Sequence, residues 1–328
     1  MYSELKGKHL LTTQDWTVEE INKLIGIADR LKQDRMLGIP QYEILRGLTF
    51  FMLLFEESTR TRNAFEAGIH QLGGHAHFLT PKATQIDHGE TSKDTVKVLS
   101  RYGEGIGVRK TYGVGQEYMR DMTKWSDIPV VNMQCEDWHP TQVLADLMTI
   151  REKFLNDLKG KKIMVSWTSA PNYIRPLSMA HSLVALMPRF GIDVNLAHPP
   201  EFKLKPEIME AAKKNAEASG STLEVFDDMD AAAEGADIVY AKGWGPINYT
   251  EDEKEGLALI DKYPGWIVDQ KKMELAGPDS IYMHCMPYDR DIEVTSEVVD
   301  GPQSVVFDEA ENRLHIMKAI MAATMAGL

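Results

Sequence analysis

The residues best suited to chemistry lie in one short stretch, FEESTRTRNAFEAG at 55–68, directly after the apolar run LTFFMLLF at 48–55. A strand that runs into Ser-Thr-Arg-Thr at a helix start aims free backbone N–H groups, hydroxyls and a guanidinium at one point, which is the chemistry of anion binding. Ser58 is the natural N-cap, because its oxygen can accept from an N–H one turn later. Arg60 is the side chain suited to two-pronged phosphate contact. Gly73 and Gly74 follow as the helix stop. Arg62, four residues before Glu66 on the same helix face, reads as structural and stays outside the site. A plain capped helix with surface arginines would also begin with Ser-Thr-Arg, so the specificity lies in the whole string.

Such a turn needs a sheet behind it, and the rest of the chain supplies the pattern. Short apolar runs alternate with longer amphipathic segments throughout, as strands alternate with crossover helices around parallel sheets. LTFFMLLF (48–55), AHFL (76–79), GIGV (105–108) and PVVN (129–132) read as strands of a first sheet. KIMVSW (162–167), DVNLAHP (193–199), TLEVF (222–226), DIVYAK (237–242), IYMHCM (281–286) and SVVF (304–307) read as a second set. The expectation is α/β, as two doubly wound domains each with a central parallel sheet: 1–150, 151–307, and a C-terminal helix 308–328 returning to the first domain. The 328 residues carry 36 Lys and Arg against 49 Asp and Glu, a net charge of −13. That balance argues against nucleic acid or anionic membrane as a partner. No apolar run approaches a membrane span and the N-terminus shows no signal-peptide core, so a cytoplasmic location is expected. Cys135 and Cys285 are too few for a disulfide framework and are not spaced as a zinc site, and no metal is expected.

The string F-E-x-S-T-R-T-R-x-x-F-E resembles the carbamoyl-phosphate signature of the aspartate/ornithine carbamoyltransferase family. The likeness continues through LGGHAHFL (72–79), the segment 85–102, Val108-Arg109, HPTQVLAD (139–146), HCMP (284–287) and FDEAENRLH (307–315). It implies that Ser58, Thr59, Arg60 and Thr61 cradle the phosphate of carbamoyl phosphate. Arg109, His139 and Thr61 would address the carbonyl oxygen as it becomes an oxyanion, the usual target of preorganised donors. Gln142 would contact the carbamoyl amide, and Arg313 would close over the carbamoyl group. Cys285 would lie at the same ligand. Gln85 would reach a neighbouring subunit's site, which implies a homotrimer with active sites at subunit interfaces. His139 precedes Pro140 at a helix start, where the protonated imidazole is disfavoured. The catalytic set is then Arg60, Arg109, His139 and Arg313, with no cofactor.

The second substrate is less defined. The paired-Asn segment and the Asp-x-x-Ser-Met-Gly segment of ornithine-specific members are missing; WTSAPNYIRPLSM (167–179) and AKGWGPINY (241–249) stand in their places. Both resemble the branch acting on N-acylated ornithines or other unusual amines, in which a proline-containing loop is threaded by a later one to form a knot. The N-acetylornithine enzyme carries a functional Lys shortly after its H-C-x-P motif, where this chain has Glu293. Trp167 and Trp244 either line a pocket at the mouth of the second sheet or pack in its core. Lys242 and Arg290 either grip an acceptor carboxylate or lie solvated. His284, Cys285 and Met286 complete the candidate acceptor set, Cys285 being otherwise an inert buried thiol.

The resemblance therefore implies an enzyme of nitrogen metabolism moving a carbamoyl group between carbamoyl phosphate and a small carboxylate-bearing nitrogen compound. That acceptor is expected to be ureidoglycine-like or a diamine derivative, and neither free ornithine nor aspartate. The alternatives are an N-acylornithine carbamoyltransferase of arginine biosynthesis, or a non-catalytic paralogue that only binds carbamoyl phosphate. A dinucleotide-binding oxidoreductase is set aside, because no G-x-G-x-x-G follows a strand.

Overall fold

The computed structural model describes residues 4–328. The chain forms two compact units, Met1–Ala145 with Ala310–Leu328, and Asp146–Glu309.

The first unit holds β1 (Thr49–Leu54), β2 (His75–Leu79), β3 (Gly105–Lys110) and β4 (Val130–Cys135), all parallel in the order β2-β1-β3-β4. Its helices are α1 (Val18–Met36), α2 (Thr59–Gln71), α3 (Ser92–Leu99) and α4 (Gly115–Trp125), followed by α5 (Pro140–Lys153), within which the first unit gives way to the second. Five of the six residues of β1 are buried. A parallel strand covered on both faces needs such a continuous apolar run rather than alternation. Phe50 of β1 stacks on Phe65 of α2 with ring centroids 5.2 Å apart, so strand and following helix share one core contact. After α2, Gly73 takes φ +86°, and a Cβ there would sit 1.7 Å from the Tyr42 carbonyl oxygen. Only glycine allows this approach.

The second unit holds β5 (Lys162–Trp167), β6 (Asp193–Ala197), β7 (Leu223–Phe226), β8 (Ile238–Lys242) and β9 (Ile281–Met283), parallel in the order β7-β6-β5-β8-β9. Helices α6 (Ser178–Leu186), α7 (Pro206–Ser219), α8 (Met229–Ala233), α9 (Glu253–Ile260), α10 (Gln270–Ala276) and α11 (Ser296–Val299) complete it. The expected two parallel-sheet α/β units are thus present.

The run SVVF at 304–307 is not a strand. Ser304 makes only an isolated bridge with Tyr282, and α12 (Val306–Met321) begins inside the run, with Phe307 69% exposed. Four residues are too few for periodicity to separate a buried strand from a helix start. The tail beyond Glu309 joins the first unit, where Lys32 Nζ donates to Asn312 Oδ1 at 2.8 Å and Gly7 N to the Thr324 carbonyl at 2.8 Å.

Candidate active site

In an open parallel sheet, ligands bind outside the carboxyl ends of the strands at the point where chain order reverses direction. In the first unit β2 lies to one side of β1 and β3 to the other, so that point falls between β1 and β3. Their last paired residues are Leu54 and Arg109. The anion-binding string follows β1 directly, and Arg109 stands at the end of β3.

Local chemistry shapes this end of the sheet. Ser58 caps α2, its Oγ accepting from Thr61 N at 3.2 Å, and no acidic side chain occupies the first turn. The positive end of the helix therefore remains for an anion. Glu56 accepts from both the N–H and the hydroxyl of Thr111 at 2.9 Å, tying the loop after β1 to the loop after β3. Arg109 Nη1 donates to Gln134 Oε1 on β4, beside a bulge between Val108 and Arg109. The fully buried Arg313 of α12 donates from Nη1 to Gln142 Oε1 and from Nη2 to Thr61 Oγ1, both at 2.8 Å. Three residues placed together by the sequence reading, Thr61, Gln142 and Arg313, thus form one hydrogen-bonded group joining α2, α5 and α12.

His139 is buried at the start of α5, with Nδ1 3.3 Å from Thr141 Oγ1. Burial holds its imidazole well below the usual value, and the guanidinium groups of Arg313, Arg109 and Arg60 push it further down. Three arginines around a neutral imidazole make a site for a dianion, with uncharged N–H and O–H donors left over for a carbonyl. A cavity of about 690 Å³ is lined by Ser58 and Thr59 at the start of α2 and by Arg62, Asn63, Thr80 and Lys82. Arg62 pairs with Glu66 at 3.4 Å and lies over the Phe78 ring at 3.9 Å, so it is structural and also faces that cavity. Gln85 is exposed, at the start of the 3₁₀ turn Ile86–His88.

In the second unit β6 and β7 lie to one side of β5, β8 and β9 to the other, so the corresponding point falls between β5 and β8, whose last pair is Trp167 and Lys242. The fully buried Glu293 lies against this end. Its Oε1 accepts from Lys242 Nζ at 2.9 Å, Gly243 N at 2.7 Å and Arg175 Nη1 at 3.0 Å. Its Oε2 accepts from Asp289 N at 2.8 Å and lies 3.5 Å from His284 Nε2. Burial alone would raise this carboxyl, but Lys242, His284 and Arg175 outweigh it and hold the group far below the usual carboxylate range. Arg175 also pairs with Asp289 and donates to Asn172 Oδ1 at 2.7 Å. His284 Nδ1 accepts from Met286 N at 2.8 Å, which leaves the proton on Nε2, facing Glu293.

The start of the HCMP loop has a second anchor. His284 N donates to Glu309 Oε2 at 2.8 Å, and the Tyr240 hydroxyl stands 3.3 Å from Glu309 Oε1 and hydrogen-bonds Cys285. Burial, and then Asp146 beside it, raise the Glu309 carboxyl well above its usual value.

Three expected acceptor residues fall elsewhere. Trp167 and Trp244 are core residues: both are buried, their indole N–H groups donate to the Trp244 and Phe202 carbonyls at 2.8 Å, and Trp167 packs on Phe202 at 4.1 Å. An indole whose one donor is already satisfied inside has no polar handle for a ligand. Arg290 lies at the surface in a two-pronged pair with Asp300, at 2.7 and 2.8 Å. Lys242 and His284 do meet, through Glu293. The sequence reading missed Arg175, Asp289 and Glu293 as members of one cluster. Segments 167–179 and 241–249 are in contact, Gly245 N donating to the Arg175 carbonyl at 3.2 Å.

Two parallel-sheet units, one with a cationic cradle at its switch point and one with a polar cluster at the equivalent place, are the build of a two-domain α/β transferase. The family model for the carbamoyl-P binding domain of aspartate/ornithine carbamoyltransferases matches residues 8–152, and that for the Asp/Orn binding domain matches 175–324. The chain belongs to the aspartate/ornithine carbamoyltransferase family. It is 38% identical to the ornithine carbamoyltransferase of Halalkalibacterium halodurans, over 98% of this chain and 97% of that one. Identity to the Bacillus subtilis enzyme of the same name is 39%, over 98% and 95%. Among solved structures, an N-acetyl-L-ornithine transcarbamylase variant with carbamyl phosphate and N-succinyl-L-norvaline superposes with a TM-score of 0.90 at 35% identity, covering 96% of this chain and 99% of that one. Ornithine carbamoyltransferase from Pyrococcus furiosus gives 0.89 at 35%, covering 99% of each. Among the described residues no helix is long and apolar enough to cross a membrane.

Proposed function

We propose that this carbamoyltransferase moves the carbamoyl group between carbamoyl phosphate and the nitrogen of a small acceptor that is neither free ornithine nor aspartate. The observation that carries the first half is the arrangement of Arg60, Arg109 and Arg313 around a neutral His139. In this reading the α2 N-terminus, Ser58, Thr59, Arg60 and Thr61 take the phosphate, while Arg109, His139 and Thr61 donate to the carbonyl oxygen and Gln142 orients the amide. A neutral amine forms the new N–C bond, the C–O bond to phosphate breaks, and the departing phosphate takes the amine proton. Fixed donors that need no reorganisation supply most of the acceleration. Gln85, on its exposed turn, serves a neighbouring copy in a trimer, and the enzyme works in the cytoplasm.

The acceptor half rests on the loops after β5 and β8, which lack the ornithine-type segments. The likeness at TM-score 0.90 to an N-acetyl-L-ornithine transcarbamylase favours an N-acylated ornithine as the second reading. Relatives named ornithine carbamoyltransferase, at 38–39% identity, point the other way. The deciding experiment offers carbamoyl phosphate with amine, ureido and N-acylated amino acid acceptors, and scores carbamoylated product by mass. Turnover is expected on a ureido or N-acyl compound. Free ornithine outperforming every other acceptor would overturn the reading, and tight carbamoyl-phosphate binding without turnover on any would favour a non-catalytic paralogue.

A further inference from the structure

The cluster around Glu293 carries no surplus charge. Two carboxylates, Glu293 and Asp289, face two cations, Lys242 and Arg175, with His284 neutral because burial holds its imidazole below the usual value. The carboxylate at its centre is fully buried, whereas the side chains of Lys242 and Arg175 keep 17% and 14% exposure. The cations are thus the solvent-facing rim of a buried anion. Arg175 comes from the loop after β5 and Lys242 from the end of β8, while Glu293, Asp289 and His284 lie in the loop after β9; these three segments border the C-terminal end of this sheet. Gly243 completes the close fit, since a Cβ there would come within 2.9 Å of Ala170 Cβ and 3.1 Å of Glu293 Oε1.

Lys242 and Arg175 are already neutralised by Glu293 and Asp289, Arg175 meeting both, so a further carboxylate would either bring surplus negative charge to the cluster or displace one of these partners. Leaving Glu293 buried without its cations is strongly unfavourable, so the existing pairs win. We propose that Glu293 is a positioning and specificity-determining residue: it locks Lys242, Arg175 and His284 at the β5/β8 end and cancels their charge. The acceptor end that enters there is therefore an uncharged polar group, such as an amide, ureido or acyl function, rather than a bare carboxylate. This rests on the carbamoyl-transfer reading and narrows its acceptor class. It replaces the idea of a carboxylate gripped by Lys242.

The test uses matched amines of equal length, 4-aminobutanamide and 4-aminobutanoate, with the full-length protein. Both the KM for carbamoylation and the affinity by calorimetry are measured, so that a protein without turnover still gives an answer. Wild type is expected to favour the amide. Glu293→Gln, which removes the charge and keeps the shape, should shift the ratio at least about tenfold toward the carboxylate, the difference between a charge-assisted and a neutral hydrogen bond. Lys242→Met should shift it the other way, and Glu293→Asp should restore the wild-type preference. Carbamoyl-phosphate affinity should be unchanged in all three. A wild-type preference for the carboxylate, or a Glu293→Gln effect equal for both amines, would overturn the proposal. Loss of carbamoyl-phosphate affinity in wild type would overturn the function reading instead. If Glu293→Gln fails to fold, the opposite-signed shift in Lys242→Met decides.

Discussion

Arg60 and Arg313 are both assigned to the proposed anion site, yet their surroundings give them different costs. Arg60 is half-buried at the start of α2, whereas Arg313 is 3% exposed and satisfies both Gln142 and Thr61. Arg60→Ala should therefore weaken carbamoyl-phosphate binding by at least about tenfold, the value of one charge-assisted contact, with little change in the urea midpoint. Calorimetry with retained affinity would show that the cradle is misassigned. Arg313→Ala should weaken binding and also cost about 2 kcal/mol of stability, because it leaves buried polar groups on α2 and α5 without their donor. An Arg313→Ala protein as stable as wild type would mean that the clamp is loose in solution. Whether a residue's loss is read in affinity or in stability thus follows from its burial.

Elements set where those residues stand, and glycine positions show how tightly. Gly73 and Gly47 both have positive φ, +86° and +78°, but a Cβ at Gly73 meets the Tyr42 carbonyl and one at Gly47 meets nothing within 4 Å. Gly47→Ala should cost about 1 kcal/mol, the left-handed strain alone. Gly73→Ala should cost at least twice that in urea unfolding, since the end of α2 has to shift as well. Equal costs would mean that the α2 stop has room to relax. The same end of α2 explains what the sequence made readable. Strand β1, the Ser58 cap and the glycine stop are contiguous, so their chemistry is spelled out within 49–74. The Glu293 cluster is not contiguous: Arg175 lies 118 residues from Glu293, and nothing around either announces its partner. Trp167 and Trp244 were ambiguous for a related reason, since an indole at a strand end looks alike whether its N–H meets a ligand or, as here, a backbone carbonyl. SVVF at 304–307 failed for want of length, and α12 claimed it.

At the scale of the whole chain, a net charge of −13 surrounds an interior that excludes protonated imidazoles. Burial holds His139 and His284 below their usual value, and His9 and His198 likewise, while His315 is brought down to about 4. A histidine whose folded pKa is depressed takes up its proton more readily when unfolded. Its contribution is intact above about pH 6.5 and is lost as the pH falls from there toward the folded value. Glu309 and Glu136, held above the usual carboxylate value, act in the opposite direction. Five groups against two make acid destabilisation the net outcome. The urea midpoint should fall steadily from pH 7 to pH 5, with each of the fully buried His139 and His284 contributing up to about 1.4 kcal/mol per pH unit once engaged. His139→Asn should flatten the slope by about one histidine's share. A midpoint whose slope is the same in wild type and His139→Asn over this interval would mean that the interior admits charged imidazole at His139. The neutral form of His139, on which oxyanion stabilisation depends in the proposed mechanism, would then have to be abandoned.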